Sequence, residues 1–157
     1  MKLLLDSNIL APLCYPARKE HQLLVRWFED VLESRRRQVT IYVPAITDYE
    51  VRRGLLHVAL KSGRTVTRSL KRLDLLVRQL EYLSLNQAVL NGAAQLWAQA
   101  RHAGQPTAGP ESLDGDVILA SHAKQVSGVV VTENVRHLSR FADAFHWREV
   151  PLPSRDA

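Results

Sequence analysis

Between Ser34 and Pro110 this 157-residue sequence carries only four acidic residues, Asp48, Glu50, Asp74 and Glu81, so the position of each acid is informative. Asp6 directly follows the apolar run Leu3-Leu4-Leu5. A carboxylate there is costly unless it caps a helix, pairs with a cation or binds a metal. Asp116 precedes Val117-Ile118-Leu119-Ala120, which places it at the rim of a core, and Asp114 lies two residues earlier. Carboxylates brought within a few ångströms of one another repel, and either their pKa values rise or a divalent cation neutralises them. Oxygen donors from Asp, Glu and Asn without His or Cys suit Mg²⁺ or Mn²⁺. Such an ion lowers the pKa of a bound water and stabilises charge during in-line phosphoryl displacement. Taken singly, each acid also has a structural reading, with helix N-capping the alternative for Asp6, Asp114 and Asp116.

The elements that must bring these residues together alternate between strand and helix. Lys2 to Leu5 reads as a buried strand emptying through Asp6-Ser7-Asn8 into a helix. Pro12 and Pro16 break the next segment, and Arg18 to about Arg36 has apolar residues at 23, 24, 27, 28, 31 and 32, the spacing of an amphipathic helix. Thr40 to Val43 is a second strand. A helix from Pro44 to about Leu60 would turn Ile46, Tyr49, Leu55, Leu56 and Ala59 inward and end at Lys61-Ser62-Gly63. A further helix, about Thr65 to Leu80, precedes a strand near Tyr82 to Leu85. Asn86 then caps a helix to about His102, with Val89, Ala93, Leu96, Trp97 and Ala100 inward. Ala103 to Glu111 is a loop rich in Gly and Pro, Leu113 to Gln125 a helix begun by Asp114 and Asp116, and Val129-Val130-Val131 the clearest strand. Thr132-Glu133-Asn134 is another strand-to-helix turn, and a last strand is expected around His146 to Val150. The alternation predicts an α/β, mainly parallel sheet covered on both faces, with ligands at the carboxyl ends of its strands. Asp6, Asn8, Thr132 and Asn134 fall at two such ends, and Glu50 a turn or two into the helix after a third.

Composition bounds the rest. With 46% hydrophobic and 24% charged residues, disordered and collagen-like classes are excluded, and one domain over residues 1–157 is expected. The single Cys14 forms neither an internal disulfide nor a thiolate zinc site. The opening MKLLLDSNIL lacks a secretory h-region, and no stretch is apolar enough to span a membrane, so a cytoplasmic protein is expected. The net charge of +5 and pI near 9.7 favour an anionic partner. From Val51 to Leu73 the chain has seven basic residues, Arg52, Arg53, Lys61, Arg64, Arg68, Lys71 and Arg72, and no acidic one. A solvated helical face and a polyphosphate-binding surface both account for this run.

Four segments, LLLDSNIL, ITDYEVRRGL, DGDVILASHA and VVVTENVRHL, resemble in order and spacing the signature blocks of PIN-domain ribonucleases, in particular the VapC-type toxins of prokaryotic toxin–antitoxin pairs. They span residues 3 to 138. By this resemblance Asp6 is the first acidic ligand, Glu50 the second in a T-x-x-E-x-x-x-G setting with Thr47 and Gly54, and Asp116 the third. Thr132 and Asn134 fall at the fourth position, where Asn134 is neutral and Asp114 is available to add charge. The resemblance implies a three-layer PIN-like fold with a central, mainly parallel sheet flanked by helices. It further implies a Mg²⁺- or Mn²⁺-dependent endoribonuclease, often a homodimer, with a small antitoxin whose segment covers the site, commonly with an Arg facing the acids. In this setting Asp6 and Asp116 would hold the metal, Glu50 would hold it or orient the attacking water, Asn134 would join them as a catalytic residue with Thr132 or Asn134 bonding water or phosphate, and Asn8, Thr47 and Thr132 would support the site. Arg52, Arg53, Arg64, Arg68 and Arg72 would track RNA phosphates.

Other readings are weaker. The six His residues form no H-x-x-x-H pair, and there is no G-x-S-x-G, G-x-x-x-x-G-K-[ST] or G-x-G-x-x-G. Trp27, Trp97 and Trp147 suit a core or dimer interface better than base stacking. A catalytically silent nucleic-acid-binding or interaction module leaves Asp6, Glu50 and Asp116 without a purpose beyond capping. Another metal-dependent phosphodiesterase or phosphatase would use the same acids.

Overall fold

In strand β1 (Lys2–Leu5) the leucines alternate across the sheet: Leu3 and Leu5 join one apolar cluster and Leu4 another, all fully buried. The computed structural model describes residues 1–34, 38–63, 65–104 and 110–152. Helix α1 (Ser7–Leu13) follows β1 directly, and a one-turn 3₁₀ helix (Lys19–His21) leads into α2 (Gln22–Ser34). Strand β2 (Thr40–Pro44) passes straight into the long α3 (Ala45–Ser62), which ends on Gly63 in the left-handed region at φ 63°. Helix α4 (Thr67–Gln79), strand β3 (Glu81–Leu83), α5 (Gln87–His102), α6 (Pro110–Val126) and β4 (Val129–Val131) come next. The chain continues with α7 (Val135–Leu138), β5 (Ala144–Phe145) and a 3₁₀ turn (Trp147–Glu149).

The five strands form one wholly parallel sheet in the order β3-β2-β1-β4-β5. The β-branched and leucine-rich strands suit this burial on both faces. One face carries Leu3, Leu5, Ile41 and Val43 against α1 to α4, and the other carries Leu4 and Val130 against α6. Helix α5 packs outside α6 through Ala93, Ala100, Val117 and Ala120. Its Gly92 lies so close to Ser121 that a methyl group there would meet the hydroxyl, which itself donates to the Val89 carbonyl at 2.7 Å. Among the described residues no helix is long and apolar enough to cross a membrane. Burial pushes the Cys14 thiol up to about 12, so it sits in the core as an inert apolar group.

Several expectations shift. The last segment is not a strand over His146 to Val150: β5 lies at Ala144–Phe145, and the next residues form the 3₁₀ turn. There Glu133 accepts from Trp147 Nε1 at 2.6 Å and meets His146 Nε2 at 2.8 Å, so both side chains turn toward the β4 end. Tyr49 and Leu56 are exposed rather than inward, because α1 and α4 cover only the side of α3 that carries Val51 and Leu55. Helix α6 starts at Pro110, not near Leu113, so Asp114 and Asp116 lie inside the helix and neither caps it. Residues 35–37, most of the Ala103 to Glu111 loop and Arg64 fall outside the described residues.

One buried polar group stands apart. His122 on α6 is fully buried, and neither ring nitrogen has a hydrogen-bond partner among the described residues. Burial lowers its pKa to about 4. Between pH ~6.5 and ~4 the unfolded chain takes up this proton more readily than the folded one, so stability present above pH ~6.5 is lost as pH falls toward 4. His122→Leu is expected to raise stability at neutral pH by about 1–2 kcal/mol and to flatten the acid limb of the profile. Chemical denaturation at pH 7 and pH 5 checks both, and a variant less stable than wild type at both values would show that the imidazole is satisfied.

Candidate active site

In a sheet ordered β3-β2-β1-β4-β5 the direction of connection reverses between β1 and β4, and the crevice beyond the carboxyl ends of those two strands is where such sheets bind ligands. Asp6 follows β1 and Thr132 follows β4, and the Asp6 N–H donates to the Val131 carbonyl at 3.0 Å, fastening the two ends together. Asp6 is only 7% exposed. Its Oδ1 accepts from the Ser7 N–H at 2.6 Å as the N-cap of α1, so the capping reading is correct, yet the residue also lines a cleft of about 660 Å³.

Thr132, fully buried beneath this cleft, organises the two strand ends. Its hydroxyl donates to Asp6 Oδ2 at 2.6 Å and accepts from Asn8 Nδ2 at 3.1 Å and from the Asn134 N–H at 2.9 Å. Asn8 Oδ1 in turn accepts from the Glu133 N–H at 3.1 Å. One hydroxyl thereby uses its donor and both lone pairs, leaving the Asp6 carboxylate fixed in orientation.

Glu50 and Asp116 enter the same cleft from α3 and α6 and are half-buried. Burial, followed by the charges of Asp6 and Glu50, lifts the Asp116 pKa to about 6, against a smaller opposing effect of Arg140. Burial also raises Glu50, opposed by a hydrogen bond from Ser7 and by the Arg53 charge and reinforced by Asp6. Asn134 completes the rim; it precedes α7 without using its side chain as a cap. Gly54 lines the opening, where a Cβ would meet nothing within 4 Å.

The structure thus gathers Asp6, Asn8, Glu50, Asp116 and Asn134 around one cleft with Thr132 beneath. It does not bring Asp114 there. Two residues apart on a helix point in nearly opposite directions, and Asp114 faces an outer groove with Leu90 and Trp97. Thr47 is buried away from the cleft, with its hydroxyl unpartnered among the described residues. Arg52 does not face the cleft: it pairs with Asp48 at 2.9 Å and Asp74 at 2.9 Å, tying α3 to α4. Arg53 does line it, Arg68 is exposed, and Arg72 is half-buried. Ser7 and Gly115, both against Glu50, escaped the sequence reading, although each adjoins an acid already singled out.

The donors fit a hard divalent cation. All are oxygens, and burial, followed in smaller part by the charge of neighbouring acids, holds Asp116 and Glu50 above the ordinary carboxylate range, so an added cation would relieve charge the site disfavours. Among the described residues no three His, Cys, Asp or Glu side chains close into a direct cage. An ion in this cleft would therefore rest on one or two carboxylates, with waters in the remaining positions.

These features define an acidic crevice at the carboxyl edge of a parallel α/β sheet, and comparison with known proteins agrees with that architecture. The PIN domain family profile matches residues 3–144, and the chain belongs to that family. The fold is similar to a chain of VapBC2 from Rickettsia felis, solved bound to a promoter DNA fragment, with 19% identity, TM-score 0.71, and coverage of 94% of this chain and 99% of that one. It is also similar to a chain of VapBC-1 from nontypeable Haemophilus influenzae, at 20% identity and TM-score 0.66, covering 95% and 100%. A chain of FitAcB from Neisseria gonorrhoeae gives 23% identity and TM-score 0.68, covering 94% and 99%. Comparison with curated proteins returned no match.

Proposed function

We propose that this chain is the toxin of a toxin–antitoxin pair, a cytoplasmic endoribonuclease dependent on Mg²⁺ or Mn²⁺. The observation that carries this reading is the convergence of Asp6, Glu50 and Asp116 on one cleft at the β1–β4 crevice of a PIN-domain chain. Asp6 and Asp116 would hold the ion, with Glu50 completing the site or orienting the attacking water. The ion, when bound, supplies charge stabilisation to the phosphoryl oxygens and lowers the pKa of water. Thr132 holds the Asp6 carboxylate in place, the Asn134 amide offers a neutral donor to a phosphate oxygen, and Arg53 attracts the flanking phosphate.

Partners follow from the surface beside the cleft. On α3, Tyr49, Leu56, Val58 and Leu60 are exposed, Leu60 by 87%. Such apolar surface suits the covering segment of an antitoxin, and the solved VapBC complexes are similar in fold. The outer groove of Leu90, Trp97 and Ile118 between α5 and α6 offers apolar surface to a second copy in a homodimer.

The first test is cleavage of a mixed RNA pool, and of matched DNA, by purified protein with EDTA, Mg²⁺ or Mn²⁺. Metal-dependent cutting of RNA is expected. RNA bound but uncut under every condition would favour the silent binding module instead. The basic surface has its own test: Arg53→Gln and Arg68→Gln are each expected to raise KM for RNA and to reduce the slope of log affinity against log salt by roughly 1 for every phosphate no longer neutralised. An unchanged slope in both would place the RNA elsewhere.

A further inference from the structure

Gly115 stands between Asp114 and Asp116 of α6, in a helix interior where glycine is normally unfavourable. Its backbone needs no glycine, since its φ is not positive. The reason is contact across the cleft. A Cβ at position 115 would overlap Glu50 Oε1 and lie 3.4 Å from its carboxyl carbon. The Glu50 carboxylate therefore rests against the bare Cα of α6.

We infer that Gly115 is a positioning residue, whose missing side chain provides the space that lets α3 present the Glu50 carboxylate beside Asp116. The overlapped atom is the far end of a flexible side chain, so a methyl group at 115 does not break the helix packing; it turns Glu50 out of its place. The consequence for metal binding rests on the nuclease reading proposed above, whereas the steric coupling between 115 and 50 does not.

The experiment combines a stability cycle with Mn²⁺ titration. Gly115→Ala, Glu50→Ala and the double variant are compared by thermal melting without metal. Alanine should raise the melting temperature in the Glu50→Ala background, as expected for a helix interior, and raise it less or lower it when Glu50 is present. Equal shifts in both backgrounds would overturn the contact. Calorimetric Mn²⁺ titration should show Gly115→Ala binding about tenfold or more weakly than wild type. Shortening the displaced side chain by Glu50→Asp in the Gly115→Ala background should recover part of that loss, whereas Glu50→Asp alone weakens binding. Wild-type affinity in Gly115→Ala would overturn the positioning role. If wild type itself neither binds Mn²⁺ nor cuts RNA, the nuclease reading fails, and the melting cycle alone decides for or against Gly115.

Discussion

Asp116→Asn is expected to abolish metal-dependent RNA cutting while making the metal-free protein more stable. The two effects have one cause. Asp116 sits half-buried near Asp6 and Glu50, and its pKa stands at about 6 against an ordinary value of 3.8. A carboxyl group whose folded pKa is raised imposes no penalty below the unfolded value, and its full penalty appears as pH rises through the folded value. Above pH ~6 the folded protein therefore carries a charge it disfavours, by about 3 kcal/mol from the shift itself and about 2 kcal/mol after solvent screening of this half-buried group. Asparagine removes that charge at nearly constant shape, and melting at pH 8 without metal should rise by about 5 °C. Below pH ~4 the two proteins should melt alike, because the carboxyl is then protonated in both folded and unfolded states. Loss of a carboxylate that holds the ion forfeits several kcal/mol of charge stabilisation, roughly a thousandfold in rate. Added Mn²⁺ should raise the wild-type melting temperature much more than that of the variant. If Asp116→Asn melts lower than wild type at pH 8, the carboxylate is a structural partner and its assignment to the site is wrong.

Thr132→Val should be the most damaging substitution of similar shape at the site. The hydroxyl serves Asp6, Asn8 and the Asn134 N–H together, and it is fully buried. Valine takes one partner from all three groups, and the Asp6 carboxylate, only 7% exposed, regains little hydration in exchange, which costs about 2–3 kcal/mol. Activity should fall further than stability alone explains, since Asp6 loses the donor on Oδ2 that sets its orientation. Thr132→Ser keeps the hydroxyl and loses only a methyl group, so it should retain most of both, at a cost of about 1 kcal/mol. Denaturation and RNA cleavage measured on the pair distinguish the outcomes: equal loss in Ser and Val variants would mean that packing of the methyl group, not the hydrogen bonds, is what the position supplies.

Much of this site was legible because it is built at strand ends. An apolar run followed by a polar, turn-forming residue marks a buried strand leaving the sheet, and Asp6 and Thr132 both occupy that position. In a parallel sheet all carboxyl ends lie on one side, so local pattern alone brought those residues to the same edge. The helix periods located α2 to α6 with shifts of a few residues at their ends, and Asn86 was legible as the cap of α5, where its Oδ1 accepts from the Val89 N–H at 2.9 Å.

What the sequence by itself determined, then, is the order of elements, the parallel sheet and the acids at its ends, since these follow from apolar periodicity and backbone chemistry within a few residues. Tertiary structure alone decided which side chains share the cleft. Asp114 and Asp116 look equivalent in sequence, but the packing of α6 between sheet and α5 turns one to the acids and the other to Trp97. Arg52 and Arg53 are adjacent in the same basic run, yet Asp74, a residue of the next helix, captures Arg52 and leaves Arg53 to the cleft. The turn over Trp147–Glu149 looked like a strand until Glu133 at the β4 end supplied partners for His146 and Trp147. In each case the deciding partner lies on another element, and contacts between elements are fixed by packing at long separation, which no local pattern encodes.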